Sequence, residues 1–170
     1  MRSLTLENSF TEIIAAFSTA ASPRYLFVVV FIAAGIAMIN KVSLRLALYV
    51  PASLLLAQAV TTVLKYTIQR PRPPIEAQLV YTHDPSFPSG HSSAAFAIAT
   101  ALSVLWLSKT WRVKYLWVWV VVAVVGASAS AASRLYLKVH WLSDVIAGAS
   151  IGIAAAIIVW MVYRRRPRVR

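Results

Sequence analysis

The sequence has 170 residues, of which 59% are hydrophobic and 13% are charged, and its mean hydropathy is +0.70. A soluble domain carries roughly 45–50% apolar and about 25% charged residues, so this composition excludes an ordinary soluble domain and indicates a membrane protein. The net charge of +12 would suggest nucleic-acid binding in a soluble chain, but in a membrane chain it is first interpreted as topology. Cysteine is absent, which excludes disulfides, thiolate metal sites and cysteine nucleophiles.

The amino-terminal segment predicts an amphipathic helix. It carries Glu7, Asn8 and Glu12 where a secretory signal needs an uninterrupted apolar run, so we expect no cleaved signal. Its apolar residues recur at roughly helical spacing among polar ones, which favours a helix lying in the membrane interface. A short sixth span over residues 4–20 is the alternative. The apolar residues are Leu4, Leu6, Phe10, Ile13, Ile14 and Phe17.

Five apolar runs follow, the first of them short, and each is a candidate membrane span. With the amino-terminal segment they predict an all-α, polytopic membrane bundle of five to six helices, in one domain over residues 1–170. The second run carries Arg45 and Pro51. A membrane helix tolerates both when the arginine extends to the interface and neighbouring groups satisfy the freed carbonyl. The runs cover residues 25–39, 42–64, 92–108, 115–132 and 145–163.

The charges between these runs predict the orientation of the bundle. One side has ten cations and no acid, and the other has seven cations and all five acids. Because cytoplasmic loops are rich in Lys and Arg, the first side, with the carboxyl terminus, is predicted to be cytoplasmic. The ten cations are Lys41, Arg45, Lys109, Arg112, Lys114, Arg164, Arg165, Arg166, Arg168 and Arg170, and the seven are Arg2, Arg24, Lys65, Arg70, Arg72, Arg134 and Lys138.

The predicted outer face holds a cationic cluster at the end of the second run. Lys65, Arg70 and Arg72 lie within eight residues, and the prolines that follow end the helix. Cations without neighbouring acids suit a dianionic phosphate, because Lys supplies a point charge and Arg a planar fork. The alternative is that the three side chains only extend to lipid headgroups at the interface.

Two further segments on the same face carry histidines. Ser89, Gly90 and His91 directly precede the third run, where free N–H groups at a helix start can bind an anion; a Ser/Gly helix cap with an incidental histidine is the alternative. Between the last two runs, His140 is followed by Asp144. In a helix the aspartate would lie one turn on and could orient the imidazole, leaving the other nitrogen as a nucleophile or base. It could instead be a simple helix-start charge.

Taken in order, the three segments resemble the signature of the type 2 phosphatidic acid phosphatase superfamily. KYTIQRPRP fits Lys, six residues, then Arg-Pro; PSGH is complete; and SRLYLKVHWLSD fits Ser-Arg, five residues, His, three residues, Asp. The superfamily includes bacterial membrane lipid phosphatases and, more distantly, vanadium haloperoxidases and glucose-6-phosphatase. The resemblance covers Lys65 to Asp144, nearly half of the chain.

The resemblance implies a role for each matching residue. His140 is implied to be the nucleophile that forms a phosphohistidine, Asp144 its orienting partner, and His91 the acid that protonates the leaving oxygen and then activates water. No metal or other cofactor is implied, in agreement with a sequence poor in acids. Arg70 and His83 fall outside the signature and receive no role. The residues implied to hold the phosphate are Lys65, Arg72, Ser89, Gly90 and Arg134.

The sequence therefore predicts a lipid phosphatase of the bacterial inner membrane, acting at the outer face on the terminal phosphate of a lipid phosphate or diphosphate. The expected partners are that lipid and the bilayer; nucleic acid is not expected, because no aromatic stacking surface accompanies the cations. Two alternatives are a non-catalytic lipid-phosphate binding or transport protein and a vanadate-dependent haloperoxidase-like enzyme. The family's lipid substrates include phosphatidylglycerophosphate, undecaprenyl diphosphate, phosphatidic acid and the 1-phosphate of lipid A.

Overall fold

The computed structural model describes residues 9–107 and 116–165, and these are helical apart from their connections. The predicted all-α class is confirmed. Several predictions fall on residues 1–8, 108–115 and 166–170, outside the described part: those for Leu4 and Leu6, and for the cations between the third and fourth runs and beyond Arg165. The helices are α1 (Ser9–Ala20), α2 (Pro23–Ile39), α3 (Leu44–Ile68), α4 (Gly90–Leu107), α5 (Leu116–Tyr136) and α6 (Leu142–Arg165), with a 3₁₀ turn at Ile75–Ala77.

Helices α2 to α6 coincide with the five predicted runs to within a few residues. Four of them, α3 to α6, are individually long and apolar enough to cross a membrane. Helices α1 and α2 meet that criterion only together, as a pair bent by 49°, so the described residues provide four or five spans. The described α1 has 12 residues and is about 18 Å long, too short to cross a hydrocarbon core of about 30 Å alone.

Helix α1 turns two hydroxyl side chains toward the protein and three large apolar side chains outward. Thr11 and Ser18 are buried, whereas Phe10, Ile13 and Phe17 are exposed. The Thr11 and Tyr136 hydroxyls lie 3.0 Å apart, and the Phe10 ring packs edge-on against the Tyr136 ring. Helix α1 is thereby attached to the end of α5, with its apolar side chains facing outward. Its position in the membrane interface stays a prediction.

The core between α2, α3, α4 and α6 is built largely from small side chains. Tyr49 and Leu54 of α3 pack with Ala94, Ala101 and Ala156 of α4 and α6. The Tyr49 hydroxyl donates to the Ala156 carbonyl at 3.0 Å, which satisfies a buried polar group inside the bundle. Small residues let helix backbones approach closely, as is usual in membrane proteins.

Two glycines set the closest approach, between α6 and α4. A Cβ on Gly148 would collide with the Ser89 carbonyl, and one on Gly152 would collide with the Ser93 carbonyl. Only glycine therefore fits here without a shift of the helices. This contact brings the start of α4 against the start of α6, where the Ser89 N–H donates to the Asp144 carbonyl at 2.9 Å.

Candidate active site

A cavity of about 290 Å³ lies at the end of the bundle where α3 and α5 end and α4 and α6 begin. Six of the eight predicted site residues line it, so the fold brings together the three segments that the order of the apolar runs placed on one face. The other two, Ser89 and Asp144, are fully buried behind its wall. The six lining residues are Lys65, Arg72, Gly90, His91, Arg134 and His140.

His140 and Asp144 form a buried pair at the start of α6. Nδ1 of His140 lies 3.4 Å from Oδ2 of Asp144, and the side chains are 2% and 0% exposed. Nε2 lies 3.4 Å from Nη1 of Arg72 on the cavity side. A hydrogen on Nδ1 would be held by the carboxylate, and the Nε2 lone pair would face the cations.

The Asp144 carboxylate is held from several directions. Its Oδ2 accepts the backbone N–H of Trp141 at 2.8 Å, as in a helix capping box, and also the Ser86 hydroxyl. Its Oδ1 accepts Nη1 of Arg70 at 2.8 Å. Asp144 is therefore both a carboxylate at the start of a helix and the hydrogen-bond partner of the His140 imidazole. Both interpretations drawn from the sequence apply to it.

The environment keeps the His140 imidazole neutral near neutral pH. Burial lowers its pKa and so do the positive charges around the cavity, while the hydrogen bond to Asp144 raises it; the resulting pKa is about 4. The ordinary value is about 6.5. A neutral imidazole can act as a nucleophile, whereas a protonated one cannot.

Lys65 and Arg72 share one acidic partner, Asp84 of the loop that joins α3 to α4. Nζ of Lys65 and Nη2 of Arg72 each lie 2.8 Å from a different oxygen of that carboxylate. Burial raises the pKa of Asp84, but the hydrogen bonds and charges of these two cations lower it to about 2. Asp84 is therefore ionised near neutral pH and holds the two cations together at the cavity.

The third cation, Arg134, reaches the cavity from the end of α5. Its Nη1 donates to the hydroxyl of Ser18 in α1 at 2.8 Å. Its Nε is buried and has no acceptor within the described part of the chain. A buried donor without an acceptor is costly, and here it belongs to a residue that lines the cavity.

The start of α4 contributes His91, Ser89 and Gly90 in different ways. Nε2 of His91 lies 3.1 Å from the Ser18 carbonyl, to which it can donate, so α1 fixes this ring. Ser89 occupies the N-cap position of α4, and its hydroxyl oxygen lies 3.4 Å from the backbone nitrogen of Ser92. The Ser89 side chain is therefore a helix cap, as the alternative interpretation of the sequence proposed. The first N–H groups of a helix lack intrahelical acceptors, and those of α4 begin at the cavity wall. Contacts of Ser89 and Gly90 with phosphate stay predictions.

Four residues of this site were not assigned a role from the sequence: Ser18, Arg70, Asp84 and Ser86. The sequence did point to two of them: Arg70 belongs to the cationic cluster, and Asp84 is one of only five acids. It did not point to the two serines, because their positions depend on how α1 and the loop fold onto the bundle. His83, which also received no role, packs edge-on against Tyr81.

Two solved bacterial protein structures have this fold. The chain is similar to a transmembrane PAP2-type phosphatidylglycerolphosphate phosphatase from Bacillus subtilis, with 25% identity, a TM-score of 0.82, and coverage of 98% of this chain and 83% of that one. It is also similar to LpxE from Aquifex aeolicus, with 27% identity, a TM-score of 0.68, and coverage of 92% and 88%.

Sequence comparison agrees with the structural likeness. Phosphatidylglycerophosphatase B of Bacillus subtilis (strain 168) is 34% identical over 97 residues, which are 54% of this chain and 45% of that protein. The chain thus matches less than half the length of this curated relative. The sequence model of the PAP2 superfamily matches residues 46–168, which is well over half of the chain and includes every predicted site residue. The chain therefore belongs to the PAP2 superfamily, as the resemblance predicted.

Proposed function

We propose that this chain is an integral-membrane phosphatase that hydrolyses the terminal phosphate of a lipid phosphate or diphosphate through a phosphohistidine on His140. The observation that carries the proposal is the arrangement around one cavity: a neutral imidazole, backed by a buried carboxylate, faces three cations. A phosphoryl group bound among Lys65, Arg72 and Arg134 would lie beside Nε2 of His140. The charge that develops on its oxygens during transfer would be stabilised there without a protein-bound metal.

In the first step, Nε2 of His140 attacks phosphorus and the bond from phosphorus to the lipid oxygen breaks. The proton on the departing oxygen comes from His91, so the lipid leaves as an alcohol or, from a diphosphate, as a monophosphate. Asp144 keeps the hydrogen on Nδ1 of His140 and stabilises the positive charge that forms on the ring, as in other histidine-carboxylate pairs.

In the second step, water attacks the phosphohistidine. His91, now neutral, takes a proton from the water, the P–N bond breaks, and inorganic phosphate is released as His140 returns to its starting form. His91 thus serves first as an acid and then as a base. Its place on the cavity wall supports this assignment.

The substrate is proposed to approach from the bilayer. Thr62 and Tyr66 of α3 line the cavity and are also exposed on the outside of the bundle, so a lipid phosphate could reach the cations while its tails stay in hydrocarbon. Phosphatidylglycerophosphate is our first candidate, because both Bacillus subtilis relatives are named for that lipid. We place the reaction at the outer face of the bacterial inner membrane.

Purified protein in detergent tests the proposal by phosphate release from the four lipids named above. We expect release from at least one of them, and its loss in His140→Ala, because no other group replaces the nucleophile. His83→Ala is the matched control, since His83 is exposed and lies outside the cavity lining; it should keep full activity. Substantial turnover by a folded His140→Ala protein would contradict the nucleophile assignment.

The same preparation separates the two alternatives drawn from the sequence. A binding or transport protein would bind lipid phosphate without releasing inorganic phosphate. A haloperoxidase-like enzyme would oxidise bromide when vanadate and peroxide are added. Either result without phosphate release would overturn the proposal.

A further inference from the structure

Arg70 lies just beyond α3, on the far side of Asp144 from the cavity. Its Nη1 is 2.8 Å from Oδ1 of Asp144 and 2.6 Å from the hydroxyl of Ser143. Its guanidinium lies over the Trp141 ring, 5.7 Å from the ring centroid, at a distance typical of a cation–π contact. Three residues at and just before the start of α6, Trp141, Ser143 and Asp144, therefore hold this one side chain.

The contact differs in kind from the other bonds to the same carboxylate. Oδ2 of Asp144 accepts neutral donors, the Trp141 N–H and the Ser86 hydroxyl, and faces the neutral His140 ring. Among the described residues, Arg70 is the permanent cation that pairs with Asp144. A fully buried carboxylate is costly unless a charge compensates it, and here that charge comes from Arg70.

We propose that Arg70 is a positioning residue of the phosphatase reaction, which pairs with the Asp144 carboxylate and holds it in the rotation that keeps Oδ2 on Nδ1 of His140. This inference rests on the proposed function. Arg70 does not line the cavity, so it acts through Asp144 rather than on the phosphate. Arg72, two residues later, faces the cavity; the two arginines therefore have different tasks despite their proximity in the chain.

Substitution of Arg70 separates positioning from phosphate binding. For Arg70→Gln we expect kcat to fall about 10- to 100-fold, because a misplacement of reacting groups by about 1 Å costs on the order of 100-fold. KM should change less than about twofold, since the phosphate-binding cations are untouched. Arg70→Lys retains the charge and should recover part of kcat. Arg24→Gln is the matched control, because Arg24 is exposed on the same end of the bundle and forms no ion pair with a described residue.

The pH dependence of kcat/KM supplies a readout that a purely structural role would not move. Without the Arg70 cation, His140 experiences more of the negative charge of Asp144, which favours its protonated form. The acid limb of the profile should therefore move to higher pH in Arg70→Gln and return toward the wild-type position in Arg70→Lys. The charged and titratable groups around His140 are Lys65, Arg72, Asp84, His91, Arg134 and Asp144, and all of them are unchanged in these variants.

The outcomes distinguish this inference from the function on which it rests. If the wild-type protein releases no phosphate, the proposed function fails. If the wild type is active while Arg70→Gln keeps its kcat and its acid limb, only the role of Arg70 is overturned. A fall in kcat that accompanies a lower melting temperature, with no movement of the acid limb in either variant, would also overturn it, because it would indicate structural damage.

Discussion

His140 must be neutral to attack phosphorus, and its surroundings set the pH at which that condition fails. The pKa of His140 is about 4, because burial and the neighbouring cations outweigh the hydrogen bond to Asp144. The nucleophile is therefore fully available above about pH 5 and is lost as the pH falls through about 4. In an ordinary imidazole the loss would be half complete near pH 6.5.

We predict that the acid limb of kcat/KM for the wild-type enzyme lies near pH 4. The measurement is phosphate release across a pH series, corrected for the substrate's own second ionisation near pH 6. Protein kept at each pH and returned to neutral pH before assay controls for irreversible loss. A corrected limb between pH 6 and 7 would mean that His140 is not desolvated as the structure indicates.

The sequence indicated which residues the fold brings to the cavity, but not how their side chains are held. His140 and Asp144 are four residues apart, so a helix running from His140 would place them in contact. In the structure α6 begins only at Leu142, and the contact is made from the residue two positions before the helix. Charge and position favoured a phosphate site at the cluster of Lys65, Arg70 and Arg72, and the family resemblance implied Lys65 and Arg72 among them. Their link through Asp84, and the contacts of Ser86 with Asp144, depend on how the loop of residues 69–89 folds back over the bundle. No periodicity in that polar, proline-containing segment predicts its path.

Helix packing places the two histidine segments side by side, and it depends on Gly148 and Gly152. For Gly152→Ala we predict a loss of stability of about 1–3 kcal/mol, typical of overpacking in a filled core. The added Cβ would meet the Ser93 carbonyl and the Ala97 backbone nitrogen, neither of which can move without α4. The melting temperature in detergent and the rate of phosphate release should both fall.

Gly126→Ala in α5 is the matched control, because nothing lies within 4 Å of a Cβ added there. Removing a glycine from a helix interior favours the helix by roughly 0.5–1 kcal/mol, so this variant should be as stable as the wild type or more so. Equal effects at the two positions would contradict the close contact between α4 and α6.

The helices themselves could largely be predicted from hydropathy, because apolar runs of about 20 residues are typical of membrane-spanning helices. The bend between α1 and α2 could not, since it arises where Pro23 starts a new helix while Ser18 stays attached to Arg134. The helical spacing of the apolar residues in the amino-terminal segment favoured an amphipathic first helix. In the structure Ser18 of α1 contacts His91 and Arg134 of the site, whereas Phe10, Ile13 and Phe17 are exposed.

The net charge of +12 is divided unequally between the two predicted sides of the membrane. The predicted cytoplasmic side carries ten cations without an acid, whereas the predicted outer side carries seven cations and five acids. At the site end, Asp84 and Asp144 are paired with Lys65, Arg70 and Arg72. The excess charge at one end is thus available to orient the protein, while the nearly balanced end builds the site.

We predict that the site end faces the cell exterior or periplasm, and the absence of cysteine permits a direct measurement. Glu76→Cys places a single thiol on the exposed turn beside the site, and Ser43→Cys places one on the exposed connection before α3, at the opposite end. The Ser43 side chain makes no cap hydrogen bond, so its replacement should be tolerated. In intact cells a membrane-impermeant maleimide should label Glu76→Cys alone, and Ser43→Cys should react only after permeabilisation. The inverse labelling pattern, in variants that retain phosphatase activity, would place the active site in the cytoplasm and overturn the orientation inferred from the charge distribution.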